Sequence, residues 1–262
     1  MELKKYRIIK YPGAKWASLG QIYKIWNSSN CNLFVDLFGG SGNVSLNVKA
    51  SGIIYNDLNQ ELVNLFRTIK FNYSEFYEIA LKNGNSPSVI RRFRGEGASS
   101  EIENAFATFL KFNSSFGGMG DTYGTRDEKG KITNIMRAVQ QLPIIKERLL
   151  NWEIVGEDFR NVVKKYDDEK AFFYIDPPYP GKQWYDNTFS RKDMKELLSC
   201  IKSLKGKYLV NIDNENTMGR PIFGNPQFVV KYPNRNGGGN EGRPEFRYLS
   251  FYTNVGNESK KS

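Results

Sequence analysis

The chain reads as an α/β protein: a doubly wound, mostly parallel sheet closed by a terminal antiparallel strand pair, with a helical insert. Three observations predict this. Short apolar runs alternate with amphipathic stretches in the first and last thirds of the chain, the pattern of strands joined by crossover helices. The last two apolar runs, 227–232 and 247–253, have only a polar, Gly-rich segment between them, so no crossover helix fits and they should pair antiparallel. Between these parts, residues 71–150 break the alternation, and about 80 residues are too many for a loop in a compact sheet.

The elements follow in order. Residues 32–38 (NLFVDLF) form a buried apolar run ended by Gly39-Gly40-Ser41-Gly42, with 43–49 expected to continue as a short helix. Residues 52–55 predict a second strand, and 59–70 a helix whose apolar face carries Leu62, Leu65, Phe66 and Ile69. In the insert, 101–112 and 134–150 have the clearest helical pattern, separated by a polar, Gly-rich loop at 116–131. Strands are then expected at 152–155, 171–175 and 207–212, with helices at 160–166 and 191–204 between them. The expected organisation is one α/β domain, 1–70 with 151–262, interrupted by a separate helical unit at 71–150.

Composition narrows the chemistry. The 262 residues include no histidine, which removes Ser-His-Asp and Cys-His machinery and any histidine general base. Two cysteines, Cys31 and Cys200, cannot make a four-ligand zinc site or a disulfide framework. The apolar runs are far shorter than the roughly 20 residues of a membrane-spanning helix, and the basic start has no apolar core of signal-peptide length. A cytoplasmic protein without a membrane role is therefore expected. Thirty-eight Lys and Arg against 28 Asp and Glu give a net charge of +10, a balance that favours polyanionic partners.

Two motifs carry chemistry. The first is Asp36-Leu37-Phe38-Gly39-Gly40-Ser41-Gly42 at a strand-to-helix turn, with Asp57 ending the next strand. Glycines let a ligand approach backbone N–H groups, and an acid after the second strand suits ribose hydroxyls. A dinucleotide fingerprint needs glycine where Ser45 stands, which disfavours a pyrophosphate cofactor. A ligand carrying an adenosine, a carboxylate and an ammonium fits better, and S-adenosylmethionine (SAM) is such a molecule. An ordinary capped turn is the competing interpretation.

The second motif is Asp176-Pro177-Pro178-Tyr179, directly after the run 171–175. The carboxyl end of a parallel strand faces the ligand crevice in such sheets. The prolines fix φ and supply no N–H, so the segment offers acceptors: the Asp176 carboxylate and the Pro177 carbonyl. Such a pair suits a ligand presenting an NH₂ group, and Tyr179 offers a face for a planar base. A third segment, Lys10-Tyr11-Pro12-Gly13-Ala14-Lys15-Trp16, is by itself only a basic glycine turn.

Together, and in this order, the three segments resemble the Dam-like, class α DNA adenine-N6 methyltransferases. The stretch FVDLFGGSGNVSLNVKASGIIYNDLNQELVNLFRTIK at 34–70 is similar to the family pattern almost throughout, and Gly156-Glu157-Asp158-Phe159 looks like its third-strand element. Tyr11-Pro12 departs from the Trp-Ala often found in the family, and the insert does not reproduce the base-reading pattern of the GATC enzymes, so the resemblance does not imply that specificity.

The resemblance implies a SAM-dependent methyltransferase sheet with a helical target-recognition insert. It implies methyl transfer from SAM to N6 of a flipped adenine in double-stranded DNA. Carried over by position, Tyr11, Gly13, Ala14, Lys15, Asp36, Phe38, Gly39, Ser41, Gly42, Asn43, Asp57, Leu58, Asp158 and Phe159 would line the SAM site. Asp176 would touch both cofactor and base, with Pro177, Pro178 and Tyr179 completing the catalytic segment. Arg91, Arg92, Arg94, Arg126, Lys131, Arg235 and Arg243 are the expected DNA contacts. No metal is required, a monomer is the expected state, and a cognate restriction endonuclease stands open as a partner. The competing functions are methyl transfer to another amino group (cytosine N4, RNA or a protein glutamine) and a non-catalytic nucleic-acid-binding relative.

Overall fold

The computed structural model describes residues 5–84, 86, 88–89, 92–93, 98–115, 128–178, 189–213, 219–233 and 246–256. Seven strands form one sheet: β1 (Leu33–Asp36), β2 (Gly52–Asn56), β3 (Trp152–Val155), β4 (Ala171–Ile175), β5 (Lys207–Asp213), β6 (Phe228–Pro233) and β7 (Phe246–Thr253). The mixed α/β class and the terminal antiparallel pair are as expected from the sequence. The chain divides into two compact units, Met1–Lys15 with Gly39–Asp158, and Trp16–Phe38 with Phe159–Ser262.

In the first unit β2 and β3 pair in parallel, Ile53 opposite Trp152 and Asn56 opposite Val155. Tyr55, Phe66 and Trp152 form its aromatic core, with Tyr55 stacked on Trp152 at 5.4 Å and tilted against Phe66 at 4.7 Å. Helix Gln60–Phe71 starts where Asn59 accepts the Glu61 N–H at 2.9 Å, satisfying an otherwise orphaned donor. It packs on helix Glu101–Ser114, which also contacts helices Tyr73–Asn83 and Glu128–Arg148. The apolar centre of that bundle is Phe76, Phe106 and Phe109, all fully buried.

In the second unit the strand order is β1-β4-β5-β7-β6. β1, β4 and β5 run parallel, and β5–β7 and β7–β6 pair antiparallel. β4 (AFFYI) is buried at all five positions, which explains why it reads as a continuous apolar run rather than an alternating one. Helix Leu19–Ser28 lays Leu19, Ile22 and Trp26 inward, and Trp26 meets Phe34 and Phe172 edge-on at 5.3 and 5.6 Å. Helix Arg191–Ser203 begins with a reciprocal cap between Ser190 and Asp193. The Asp193 carboxyl is held down at about 2, chiefly by the Ser190 hydroxyl and then by Arg160.

One expected helix is replaced by another form. Residues 43–49 do not continue as an α-helix; only a 3₁₀ turn, Ser45–Asn47, follows the glycine loop, and Val48 is already extended. The segment offers two valines, a serine and two asparagines, all weak helix formers. The Asn47 side chain is also used elsewhere: its Nδ2 donates to the Tyr6 and Asn43 carbonyls at 2.9 and 2.7 Å. A long helix dipole therefore does not stand behind this loop.

Candidate active site

The glycine loop of the first unit is built on its aromatic core. Gly39 N–H donates to the Asn56 carbonyl at 2.7 Å, which anchors the loop at the carboxyl end of β2. A Cβ on Gly39 would lie 2.3 Å from the Tyr55 ring, so only glycine lets the chain cross there. The Tyr55 hydroxyl then donates to the Gly40 carbonyl at 2.6 Å. Gly42 adopts φ +64°, and a Cβ there would press on Phe66 at 2.7 Å.

Asp57 closes the loop. One carboxylate oxygen accepts the Gly40 N–H at 2.8 Å and the other the Asn59 N–H at 2.9 Å. Burial pushes its carboxyl above the ordinary range, opposed by the N–H donations from Asn59 and Gly40. The residue expected to take ribose hydroxyls is thus also the clasp of the loop, and each of its oxygens retains a second lone pair. Next to it, Asn56 and Glu157 exchange two bonds, Nδ2 to the Glu157 carbonyl at 3.0 Å and the Glu157 N–H to Oδ1 at 2.9 Å. This ties the end of β2 to the turn after β3, where Asp158 lies half-buried.

The N-terminal segment belongs to the same unit. Lys15, only 5% exposed, donates its N–H to Asn43 Oδ1 at 2.9 Å and its ammonium to the Gly13 carbonyl at 2.7 Å. Tyr11 packs edge-on against Phe112 at 5.1 Å. Ser41, Gly42 and Asn43 are buried, Ala14 is half-buried, and Gly13 and Leu58 are exposed. Asn43 Nδ2 is buried with no hydrogen-bond partner among the described residues.

The second unit carries the other candidates. Asp36 ends β1 opposite Tyr174 of β4 and is 1% exposed. The chain stays beside β4 for one residue more, Leu37 N–H donating to the Tyr174 carbonyl at 3.0 Å. Asp36 and Asp176 therefore stand at the carboxyl ends of adjacent parallel strands. Phe38 packs against Phe159 and Phe189, each at 5.8 Å. Pro177 is buried, while Asp176 and Pro178 are half-buried.

Sequence reading missed three residues around Asp176. Asn211, fully buried on β5, donates its Nδ2 to Asp176 Oδ1 at 2.7 Å. Tyr174 donates its hydroxyl to Asn211 Oδ1 at 3.2 Å. Tyr232 on β6 shares a 2.7 Å hydroxyl contact with Ser18. Burial pushes the Tyr232 hydroxyl up to about 12, the charge of Asp176 adding to the rise and the bond to Ser18 opposing it. A lone asparagine or tyrosine in an apolar run has no distinguishing spacing, so these partners become visible only when strands are placed side by side.

Among the expected DNA contacts, Arg92 is exposed with its guanidinium 5.7 Å from the Phe93 ring. Lys131 lies on helix Glu128–Arg148, though its side chain is outside the described residues. Arg91, Arg94, Arg126, Arg235, Arg243 and Tyr179 also lie outside them. No described helix is long and apolar enough to cross a membrane. The described residues contain no group of three or more His, Cys, Asp or Glu that could hold a metal.

The chain is 25% identical over 234 residues to the DNA adenine methylase of Escherichia coli K12, covering 82% of this chain and 83% of that one. It is 24% identical over 249 residues to the DNA adenine methylase of Haemophilus influenzae, covering 87% and 86%. It is 24% identical over 219 residues to the modification methylase StsI of Streptococcus sanguinis; the match takes in 72% of this chain but only 32% of that longer protein. The family model described as D12 class N6 adenine-specific DNA methyltransferase matches residues 11–229, and the chain belongs to that family.

Proposed function

We propose that the protein transfers a methyl group from SAM to N6 of an adenine flipped out of double-stranded DNA. The observation that carries this reading is Asp176-Pro177 at the carboxyl end of β4, beside the buried Asp36 at the end of β1, in a chain of this family.

The residues fit the cofactor. Gly39 and Gly42 keep the loop free of side chains, and the buried Asn43 Nδ2 offers a donor for a carboxylate. In the first unit Asp57 and Asp158 suit ribose hydroxyls and the adenine amine; in the second, Asp36 suits the ammonium, and Phe38 and Phe159 pack as an apolar pair. SAM supplies an electrophilic methyl group on a sulfonium.

The protein's own task is to make adenine N6 nucleophilic. Its lone pair is delocalised into the ring, so the nitrogen is a poor nucleophile while planar. Asp176 and the Pro177 carbonyl each accept one N6–H, which favours a pyramidal nitrogen with an exposed lone pair. As positive charge develops on N6, fixed acceptors stabilise it without reorganising. No histidine is needed. A base inside a duplex cannot reach such acceptors, so extrusion is required, with Tyr179 as the stacking face. The insert at 71–150 is assigned DNA recognition, with the basic residues named above meeting phosphates and base edges. A monomer acting in the cytoplasm completes the reading, and a cognate restriction endonuclease stays open as a partner.

The test is methyl transfer from labelled SAM to duplex DNA, followed by nucleoside analysis. N6-methyladenine is the expected product. Label on cytosine, or only on RNA or protein acceptors, overturns the reading.

A further inference from the structure

We propose that Asn211 is a positioning residue for the reaction, holding the Asp176 carboxylate in its acceptor orientation, with Tyr174 fixing the Asn211 amide in turn. The proposal rests on the reading that Asp176 accepts an amine hydrogen of the substrate.

An aspartate in a turn commonly orients itself by accepting the N–H two residues on. Here the next two residues are Pro177 and Pro178, and neither has an N–H. Neither proline can therefore orient the carboxylate through its backbone. An orienting donor from another strand meets this need.

Asn211 supplies one. It is fully buried in the middle of β5, between Val210 and Ile212, where asparagine is a poor strand former and a buried amide is costly unless bonded. Its Nδ2 donates to Asp176 Oδ1 at 2.7 Å and its Oδ1 accepts from the Tyr174 hydroxyl at 3.2 Å. The direction of this chain follows from its members. A carboxylate only accepts, so turning the amide over would set oxygen against oxygen. Tyr174, itself 1% exposed on β4, then has to donate. Tyrosine hydroxyl, amide and carboxylate thus form a one-way relay, and it commits one acceptor direction of Asp176 to the protein.

The test uses the full-length protein and three variants, Asn211→Leu, Asn211→Ser and Tyr174→Phe. Single-turnover methyl transfer is measured at saturating SAM and duplex DNA, with SAM affinity from calorimetry. We expect Asn211→Leu to slow transfer about 10-fold, the scale seen when a group orienting a reactive ligand is removed. SAM affinity should stay within about twofold, and Tyr174→Phe should show a smaller loss of the same kind. Asn211→Ser, smaller and still polar, serves if the leucine variant does not fold. A rate within twofold of wild type, or a fall in SAM affinity equal to the fall in rate, overturns the proposal.

A second measurement needs no substrate. The Asn211 side-chain amide protons should shift upfield in a folded Asp176→Asn protein, because the acceptor loses its charge. Unchanged resonances overturn the relay whatever the enzyme methylates. A wild-type protein that leaves adenine unmethylated, with the shift still seen in the Asp176→Asn variant, overturns the functional reading alone.

Discussion

Asp57 and Asp176 both follow a parallel strand of the same sheet, yet they are held in opposite ways. Asp57 accepts the N–H of Asn59, two residues on, and the N–H of Gly40, so backbone defines its position. Asp176 is followed by two prolines and is gripped by a side chain, Asn211, from the next strand. The first arrangement makes a carboxylate part of the loop's architecture. The second leaves a carboxylate whose chemistry can be altered with little damage to the chain around it.

Substitution should reveal the contrast. The largest effect is expected for Asp176→Asn. On the proposed function it removes charge where the substrate amine would donate and can turn an NH₂ toward an NH₂, so transfer at saturating SAM and DNA should fall about 100-fold or more. Thermal stability should change little. Near wild-type turnover in a folded variant would break the assignment.

Asp57→Ala should behave differently, losing cofactor affinity and stability together. Two backbone N–H groups lose their acceptor, and each unsatisfied buried group costs about 1–3 kcal/mol. Calorimetry with SAM and thermal denaturation on the same samples check this. Lost affinity at an unchanged melting temperature would mean that the clasp of the glycine loop contributes nothing to the fold.

Asp193 provides a reference outside both motifs. Removing its partner with Ser190→Ala should destabilise the protein by about 1 kcal/mol. Because the folded carboxyl is held at about 2, below its unfolded value, this contribution is present above pH 4. It fades as pH falls from there toward 2. Denaturant melts of both proteins across that range should converge at the acid end.

The smallest expected effect concerns the sign at Asp57. Its carboxyl is raised by burial, so the folded state holds the proton more tightly than the unfolded chain. The Asp57 contribution to stability is therefore greatest below the unfolded value and declines as pH rises through the raised folded one. Relative to Asp57→Asn, the wild-type protein should lose stability over that rise. The opposite slope would show that the N–H donations outweigh burial.

Legibility from sequence followed the range of the interactions. β4 announced itself through five consecutive apolar residues, and the final hairpin through the absence of room for a helix. Asp36, Asp57 and Asp176 were visible because strand ends and glycine turns mark them locally. Helix Leu19–Ser28 passed unnoticed although Leu19, Ile22 and Trp26 face inward at helical spacing; ten residues leave that periodicity a short signal. The short helix expected at 43–49 gave way to a 3₁₀ turn because Asn47 bonds to Tyr6, 41 residues away. Asn211 was invisible for the same reason: its partner Asp176 is 35 residues distant, and nothing in VNID signals the pairing.

The stacking of Gly39 over Tyr55 has a thermodynamic consequence. Tyr55 is locked between Phe66 and Trp152 while its hydroxyl holds Gly40, so the loop takes its shape when the core condenses. Fixing each backbone residue costs about 1–2 kcal/mol of conformational entropy, and here that loss is incurred once, during folding. A small molecule arriving at such a loop meets a preorganised surface and retains more of its contact free energy as affinity. Loosening the core, for instance at Trp152, should thus weaken ligand capture at a distance, through disorder restored to a loop that the substitution never touches.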